Sequence, residues 1–315
     1  MSQFAADVPR PEIPTPAGSV LDFSAAGHLY ATHQVHAFAA KCPPPLAAWA
    51  IAEYTSTGGL VVDAMAGSGT TLVEALLAGR PAIGIDIDPL ARLIARAKVT
   101  LIDPDRLTDA AVALVARATE AKDSGWRPEG IDVDRWFRAD VQADLSRLRE
   151  VIAGSDVEED LRPILACLYS SLIVARTSVA NVRDIAHSRH HYQARPEDPK
   201  VFDRFTDRAR RAAKMYADLR RRVPDPAAEI RVEDGDATAL TLEAGIAELY
   251  FSSPPYCSAL DYTRATSSRL RGLASCSART RPPTGPSAAR ISGPSGPRLH
   301  WQPRMRRFRL RSVRP

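Results

Sequence analysis

The chain has little of what marks an oxidised or membrane-spanning protein. Its 315 residues include four cysteines, Cys42, Cys167, Cys257 and Cys276, and no two form a CxxC pair. That spacing argues against a disulfide frame or a zinc site and fits reduced thiols in a cytoplasm. No run of about 18 apolar residues occurs, so no segment reads as a membrane span. The opening MSQFAADVPRPEIPTP lacks the basic-then-apolar order of a signal peptide. Acidic residues are absent from Arg264 to the end, where 13 arginines and no lysine occur. Removing those 13 from the 42 basic residues leaves 29 against 37 acids, so the net charge of +5 belongs to the tail alone. It therefore says nothing of whether the folded part binds nucleic acid.

What is present is ordered. A hydrophobic share of 45% suffices for a buried core. Residues 1–25 are Pro-rich and polar, and little order is expected there. A helix follows the triple proline and runs Leu46–Tyr54, proline suiting a first helical turn. Leu60-Val61-Val62 reads as a buried parallel strand, followed by a glycine-rich turn and a helix from Thr71 to Leu77 that ends at Gly79. A second buried strand, Pro81–Ile85, leads to a helix from Pro89 to about Val99. Strand, helix, strand and helix with short loops make a right-handed parallel α/β unit. Residues 104–225 read as helical throughout. Leu161, Ile164, Leu165, Leu168 and Leu172 keep helical spacing, and so do Phe202, Phe205, Ala209, Ala212, Tyr216 and Leu219. The other face of that last helix carries Arg204, Arg208, Arg211, Lys214 and Arg221. A solvated amphipathic face is the plain reading and phosphate contact the alternative. Strands resume at Ile230–Val232 and Leu249–Phe251.

Two short segments carry chemistry. In the first, Asp63-Ala64-Met65-Ala66-Gly67-Ser68-Gly69-Thr70-Thr71, a strand turns into its helix. Glycines there let the backbone approach a ligand, and the helix N-terminus offers N–H groups and a positive dipole. Asp86 ends the next strand, where a carboxylate can grip both ribose hydroxyls of an adenosine. A triphosphate loop needs Gly-Lys-Ser/Thr, but Thr70 stands between Gly69 and Thr71. A dinucleotide loop wants GxGxxG, but its third glycine position holds Leu72. The second segment, Ser253-Pro254-Pro255-Tyr256, directly follows a strand. An exocyclic amino group on a nucleobase is a poor nucleophile because its lone pair is conjugated into the ring. The Ser253 hydroxyl oxygen and Pro254 carbonyl can accept its two N–H bonds and free that pair, while consecutive prolines add stiffness and no donors. Tyr256 can stack on a base turned out of the helix. Cys257 lacks the Pro-Cys context of a thiolate nucleophile and reads as structural. His33 and His36 have no third ligand at helpful spacing, so no metal site is expected. His187, His190 and His191 read as a surface loop.

Both segments resemble motifs of the class I S-adenosylmethionine-dependent DNA amino-methyltransferases, the N4-cytosine/N6-adenine DNA methylases. The glycine-rich segment is similar to DxFxGSGTT, with Met65 replacing the aromatic. The Ser-Pro-Pro-Tyr segment is similar to [DNS]PP[YFW], in the serine variant of the N4-cytosine branch. His33–Pro43 resembles an HxxHxYPAKFxP segment that packs beside the methionine end of the cofactor, departing at Phe38, Ala39 and Cys42. The resemblance covers roughly positions 28–265. It implies a Rossmann-like, doubly wound, mostly parallel α/β sheet over residues 26–265, with a helical insert at about 104–225. S-adenosyl-L-methionine is the implied cofactor. Asp63, Ala64, Ala66, Gly67, Ser68, Gly69, Thr70 and Thr71 wrap it, Asp86 binds its ribose (Asp88 being the lesser candidate), and Asp236 contacts its adenine. The implied activity is methyl transfer to a DNA base amino group, foremost cytosine N4, by Ser253, Pro254, Pro255 and Tyr256. RNA is the alternative substrate, and a catalytically inactive nucleic-acid-binding remnant the rival of another class. A restriction endonuclease is the conceivable partner, and target recognition is expected in the insert or around Arg183–Arg195.

The family pattern breaks near the end. In relatives Ser-Pro-Pro-Tyr leads through Asp-Tyr-Thr-Arg-Ala into an aromatic-rich helix, and a fifth strand covers the fourth. Here Asp261–Ala265 is present and the resemblance stops. Residues 266–315 form an Arg/Pro/Ser-rich stretch without hydrophobic periodicity, for which little order is expected. Two accounts stand: GC-rich coding DNA read in a shifted frame, with C-terminal strands missing, or a native basic tail. Either leaves the motif strand an open edge, with poor solubility and weak activity expected.

Overall fold

A computed structural model describes residues 22–23, 27, 29–38, 40–127, 133–173 and 200–254, all within one compact unit, Met1–Arg279. Pro255, Tyr256, Cys257, the three histidines from His187 to His191, the Arg183–Arg195 stretch, the Asp261–Ala265 phrase and residues 266–315 lie outside the described residues.

Helix α1 (Pro44–Tyr54) begins on its prolines, whose fixed φ suits the first turn. Strand β1 (Val61–Asp63) is buried throughout. It runs through the glycine turn into α2 (Thr70–Leu77) and on to β2 (Ala82–Asp86). Helix α2 stops because Gly79 takes a φ of +64. Its N–H bonds Leu76 O at 3.1 Å while Arg80 N–H bonds Ala75 O at 2.9 Å, a Schellman close. Helix α3 (Pro89–Val99) starts at Asp88, whose carboxylate accepts the Leu90 N–H at 2.8 Å. Asp88, the first acid beyond β2, is therefore spent as an N-cap, the role an Asp before a proline commonly fills.

Strands β3 (Ile230–Asp234) and β4 (Leu249–Tyr250) complete a parallel sheet in the order β3-β2-β1-β4. Val61 pairs with Ala82 on one side and with Leu249 on the other, and β2 pairs with β3 from Ala82–Ile230 to Asp86–Asp234. The chain moves β1 to β2 to β3 in one direction and then jumps back past β1 to β4. That reversal is the point at which doubly wound sheets open a ligand crevice beyond their carboxyl ends. Successive residues alternate between faces. Val61 and Ala82 meet Ile51, Leu72, Ala75 and Ala95 on one face, and Val62, Ile83 and Ile85 cluster with Leu242 and Ala247 on the other. The helices crowd the first face so tightly that a Cβ on Gly84 would lie 2.5 Å from Leu72 Cδ1.

The expected helical stretch contains α4 (Pro104–Glu120), the single turn α5 (Val133–Trp136), α6 (Ala139–Ala153), α7 (Leu161–Ile173) and α8 (Val201–Arg222). No strand interrupts it among the described residues. The periodic residues of α7 are buried, as are Phe205, Ala209, Ala212, Tyr216 and Leu219 of α8. These helices join Leu76, Leu90, Ile94 and Ala97 in one apolar cluster, so the insert thickens the main core. A hydrogen bond from Tyr216 Oη to Ala97 O at 2.6 Å fixes its seat at the end of α3, and the N-terminal segment bonds the same helix end from Thr32 Oγ1 to Lys98 O at 2.7 Å. Both satisfy carbonyls that a helix end leaves open.

Candidate functional site

The turn between β1 and α2 is shaped by glycines and tied by carboxylates. Gly67 and Gly69 hold φ values of +52 and +78, in the left-handed region that side chains avoid. At Gly69 a Cβ would also lie 2.8 Å from Ala95 Cβ and 2.9 Å from Ala95 Cα, so α3 leaves no room for one. Gly69 is the N-cap of α2 and supplies no side-chain cap, which leaves that helix start to be completed by something else.

Asp63 anchors the turn from below. Its carboxylate accepts Met65 N–H at 3.1 Å and Thr71 Oγ1–H at 2.6 Å. Burial pushes its pKa up, and these bonds offset part of that rise. Asp86 anchors the turn from the side, accepting Gly67 N–H at 2.7 Å and Asp88 N–H at 2.8 Å, one on each oxygen. A carboxylate offers about four acceptor positions. Asp86 therefore retains acceptor capacity while its orientation is already set. Ala66 N–H bonds Ile85 O at 3.0 Å, which carries the β1–β2 pairing into the loop itself.

On the other side of β1 lies β4, whose pairing continues through Phe251 N–H to Val62 O at 3.0 Å. Ser252 follows, and its hydroxyl is buried beside Asp63. It lies close enough to lower the Asp63 pKa, yet it is not aligned for a hydrogen bond with any described residue. The contact is therefore a poorly aligned hydrogen bond. Ser253 is half-buried and Pro254 exposed. The two sequence motifs thus emerge from neighbouring strands at one edge of the sheet. Asp236 stands at the same edge beyond β3. It is exposed and accepts both the N–H and the hydroxyl of Thr238 at 2.8 Å, which holds its pKa low. A Cβ on its neighbour Gly235 would lie 2.7 Å from Ile85 Cγ2, which places this turn against the end of β2.

The N-terminal segment packs behind the turn. Phe38 Cε1 lies 3.4 Å from where a Gly67 Cβ would be, so its ring lies against the loop. Glu74, buried in the second turn of α2, accepts from Tyr30 Oη at 2.7 Å and pairs with His33 Nε2 at 2.6 Å. Burial lowers the His33 pKa, Glu74 partly opposing it. Nε2 is then the protonated nitrogen of a neutral ring, assigned from the partner. His36 Nδ1 meets Ala37 O at 2.6 Å and its Nε2 meets Ser170 Oγ at 3.2 Å. Neither histidine has a metal-binding neighbourhood among the described residues. Sequence reasoning missed Glu74 and also Lys98, which is fully buried with no hydrogen-bond partner for Nζ among the described residues. Burial, with Lys41 adding to it, lowers the Lys98 pKa to about 7. Glu74 had a signal, the single charge inside the apolar helical stretch TTLVEALL, whereas Lys98 shares LIARAKV with Arg96 and does not stand out.

Comparison with known proteins agrees with this geometry. A family model described as DNA methylase matches residues 16–96, which span the N-terminal segment, the glycine turn and Asp86. The Type II methyltransferase M.MvaI of Kocuria varians is 28% identical over 201 residues, covering 57% of this chain and 42% of that protein. The Type II methyltransferase M.MjaII of Methanocaldococcus jannaschii is 36% identical over 75 residues, or 24% of this chain and 14% of its own length. The chain thus spans less than half the length of these curated relatives. No solved structure matches it.

Proposed function

We propose that the chain, whose residues 16–96 match the DNA methylase family model, belongs to that family and transfers a methyl group from S-adenosyl-L-methionine to an exocyclic amino group of a DNA base, foremost cytosine N4. The observation that carries this reading is the meeting of the glycine turn and the Ser253-Pro254 segment at the ends of paired strands β1 and β4.

The residues present fit the cofactor. The left-handed glycines and the uncapped start of α2 make a backbone cradle, and Asp86 keeps acceptor capacity for two ribose hydroxyls. Asp63, Ala64, Ala66, Gly67, Ser68, Gly69, Thr70 and Thr71 would hold the methionine part, and Asp236 the adenine. When bound, the cofactor supplies an electrophilic methyl carbon. Ser253 Oγ and the Pro254 carbonyl would accept the two N–H bonds of the base, turning the nitrogen lone pair out of conjugation. The proton lost after attack passes along the same acceptors toward water. By their residue types, Pro255 would stiffen the segment and Tyr256 would stack on the flipped base.

The test is labelled methyl transfer to duplex DNA, followed by nucleoside digestion. Label in N4-methylcytosine supports the full reading, and label in N6-methyladenine moves the target base. Label in RNA only moves the substrate class. A second reading, a chain that binds cofactor and nucleic acid without transfer, draws on β4. Among the described residues that strand is only two residues long and forms the sheet edge, with Tyr250 53% exposed. Cofactor binding by calorimetry without label in any nucleic acid selects it.

A further inference from the structure

Resting on the reading of a DNA substrate, we propose that Arg204, Arg208 and Arg211, on the N-terminal half of α8, grip the phosphate backbone of the duplex from which the base is taken.

The placement of charge on α8 makes the case. The helix carries eight basic and three acidic residues. Two of its acids are used locally: Asp207 pairs with Arg210 at 3.4 Å, and Asp218 pairs with Arg222 at 2.8 Å and with Arg221. Asp218 also accepts the Ala31 N–H at 2.9 Å. The C-terminal arginines Arg221 and Arg222 are thereby tied to structure. Arg204, Arg208 and Arg211 follow i, i+4, i+7 spacing along one side of the helix, which puts them roughly 10 Å apart end to end. Burial and the two flanking guanidinium groups lower the Arg208 pKa to about 10, which places the three arginines within mutual electrostatic reach. An ordinary solvated face alternates signs. Here Asp207 lies on the same side but pairs with Arg210, and the net positive row that remains suits a row of phosphates better than a single small anion.

Position is the second argument. Arg208 Nη1 donates to Ser171 Oγ at 2.9 Å, and the adjacent Ser170 Oγ meets His36 Nε2 at 3.2 Å. Two residues beyond His36, Phe38 lies against Gly67. A short chain of buried contacts therefore leads from the glycine turn to Arg208 in the arginine row. Phosphate contacts of this kind fix the register of a duplex without reading its sequence.

The experiment is duplex DNA binding by the full chain, titrated across salt, for wild type and for Arg204→Ser/Arg211→Ser. Each phosphate contact contributes a slope of about −0.9 in log K against log salt. The double variant is expected to lose about 1.8 of that slope, and affinity should fall on the order of tenfold per arginine at about 0.1 M salt, equally for all DNA sequences. Cofactor affinity should stay unchanged, and Arg221→Ser should bind as wild type does. Wild-type slope and affinity in the double variant overturn the proposal, as does an equal loss in Arg221→Ser, or wild-type binding to duplex RNA alone or to no nucleic acid. A wild type that binds duplex with this salt slope but transfers no methyl group defeats the proposed activity and leaves the phosphate grip standing. Transfer with an unchanged KM for DNA in the double variant does the reverse.

Discussion

The glycine turn and the Ser253 segment sit on adjacent strands, yet they are secured in different ways. The turn is closed by bonds reaching short distances along the chain: Thr71 to Asp63, Gly67 to Asp86, Ala66 to Ile85. Helices pack the face beneath it, and Phe38 lies against it. The Ser253 segment depends on a two-residue strand paired with a partner about 190 positions away, through Phe251 N–H to Val62 O. Local closure costs little loop entropy, whereas the distant pairing must be held by the whole sheet. A site of the first kind survives changes elsewhere; a site of the second kind inherits every weakness of the scaffold.

The sharpest way to break this contrast is at Gly69. Gly69→Val forces a branched side chain into a left-handed conformation and against the Ala95 backbone. The expected loss is about 3 kcal/mol or more of stability, with cofactor affinity reduced beyond calorimetric detection. A variant that binds cofactor normally would show that the turn is not the cradle described. Ser253→Ala comes next and should do the opposite. Methyl transfer is expected to fall about 100-fold, close to 3 kcal/mol in the barrier, by analogy with removing one preorganised polar group from an active site. Unfolding temperature and cofactor affinity should match wild type. If both drop with activity, the two regions are one structural unit and the contrast dissolves.

Lys98 tests how well the first region is built. Its folded pKa of about 7 lies below the ordinary lysine value of 10.5, so the charged form is disfavoured by folding. Its contribution to stability is whole above about pH 10.5 and is lost progressively as pH falls toward 7, below which the loss is constant. Lys98→Met should flatten that slope and raise stability at pH 6 by about 1–3 kcal/mol, with a smaller gain at pH 9. Thermal unfolding at the two pH values measures it. A destabilised Lys98→Met would mean that the ammonium has a role in the core that packing alone does not reveal.

How far the sequence can be read follows the same division. The apolar runs Leu60–Val62 and Pro81–Ile85, punctuated by glycines, were legible because buried parallel strands need no alternation. The α7 and α8 faces were legible from period alone. Asp88 was legible in principle, since an Asp before a first-turn proline signals a cap, but two acids so close together at a strand end both fit a ribose. Glu74 was visible as a lone charge in an apolar helix, while Lys98, two residues from Arg96, was not; the partners of both, or lack of them, depend on which distant side chains the fold brings up. Ser252 had no signal at all, since a serine beside a motif serine is indistinguishable from any loop residue. Its burial against Asp63 is decided by β4 pairing with β1.

That seam gives the smallest and most discriminating prediction. The Ser252 hydroxyl is buried without a well-formed hydrogen bond, a cost of about 1–3 kcal/mol in general. Removing it relieves that cost but deprives Asp63 of a neighbour that lowers its pKa. The two effects oppose, so Ser252→Ala should change stability at pH 7 by no more than about 1 kcal/mol. The pH dependence separates them. Asp63 has a folded pKa raised above 3.8, so its contribution is whole below that value and is lost as pH rises through the folded pKa. With Ser252 gone that pKa rises further, and the decline should extend to higher pH than in wild type. Chemical unfolding from pH 4 to 8 records the shift. An unshifted profile would mean that the two motif strands meet without electrostatic contact. The Ser253 segment would then be coupled to the glycine turn through backbone pairing alone.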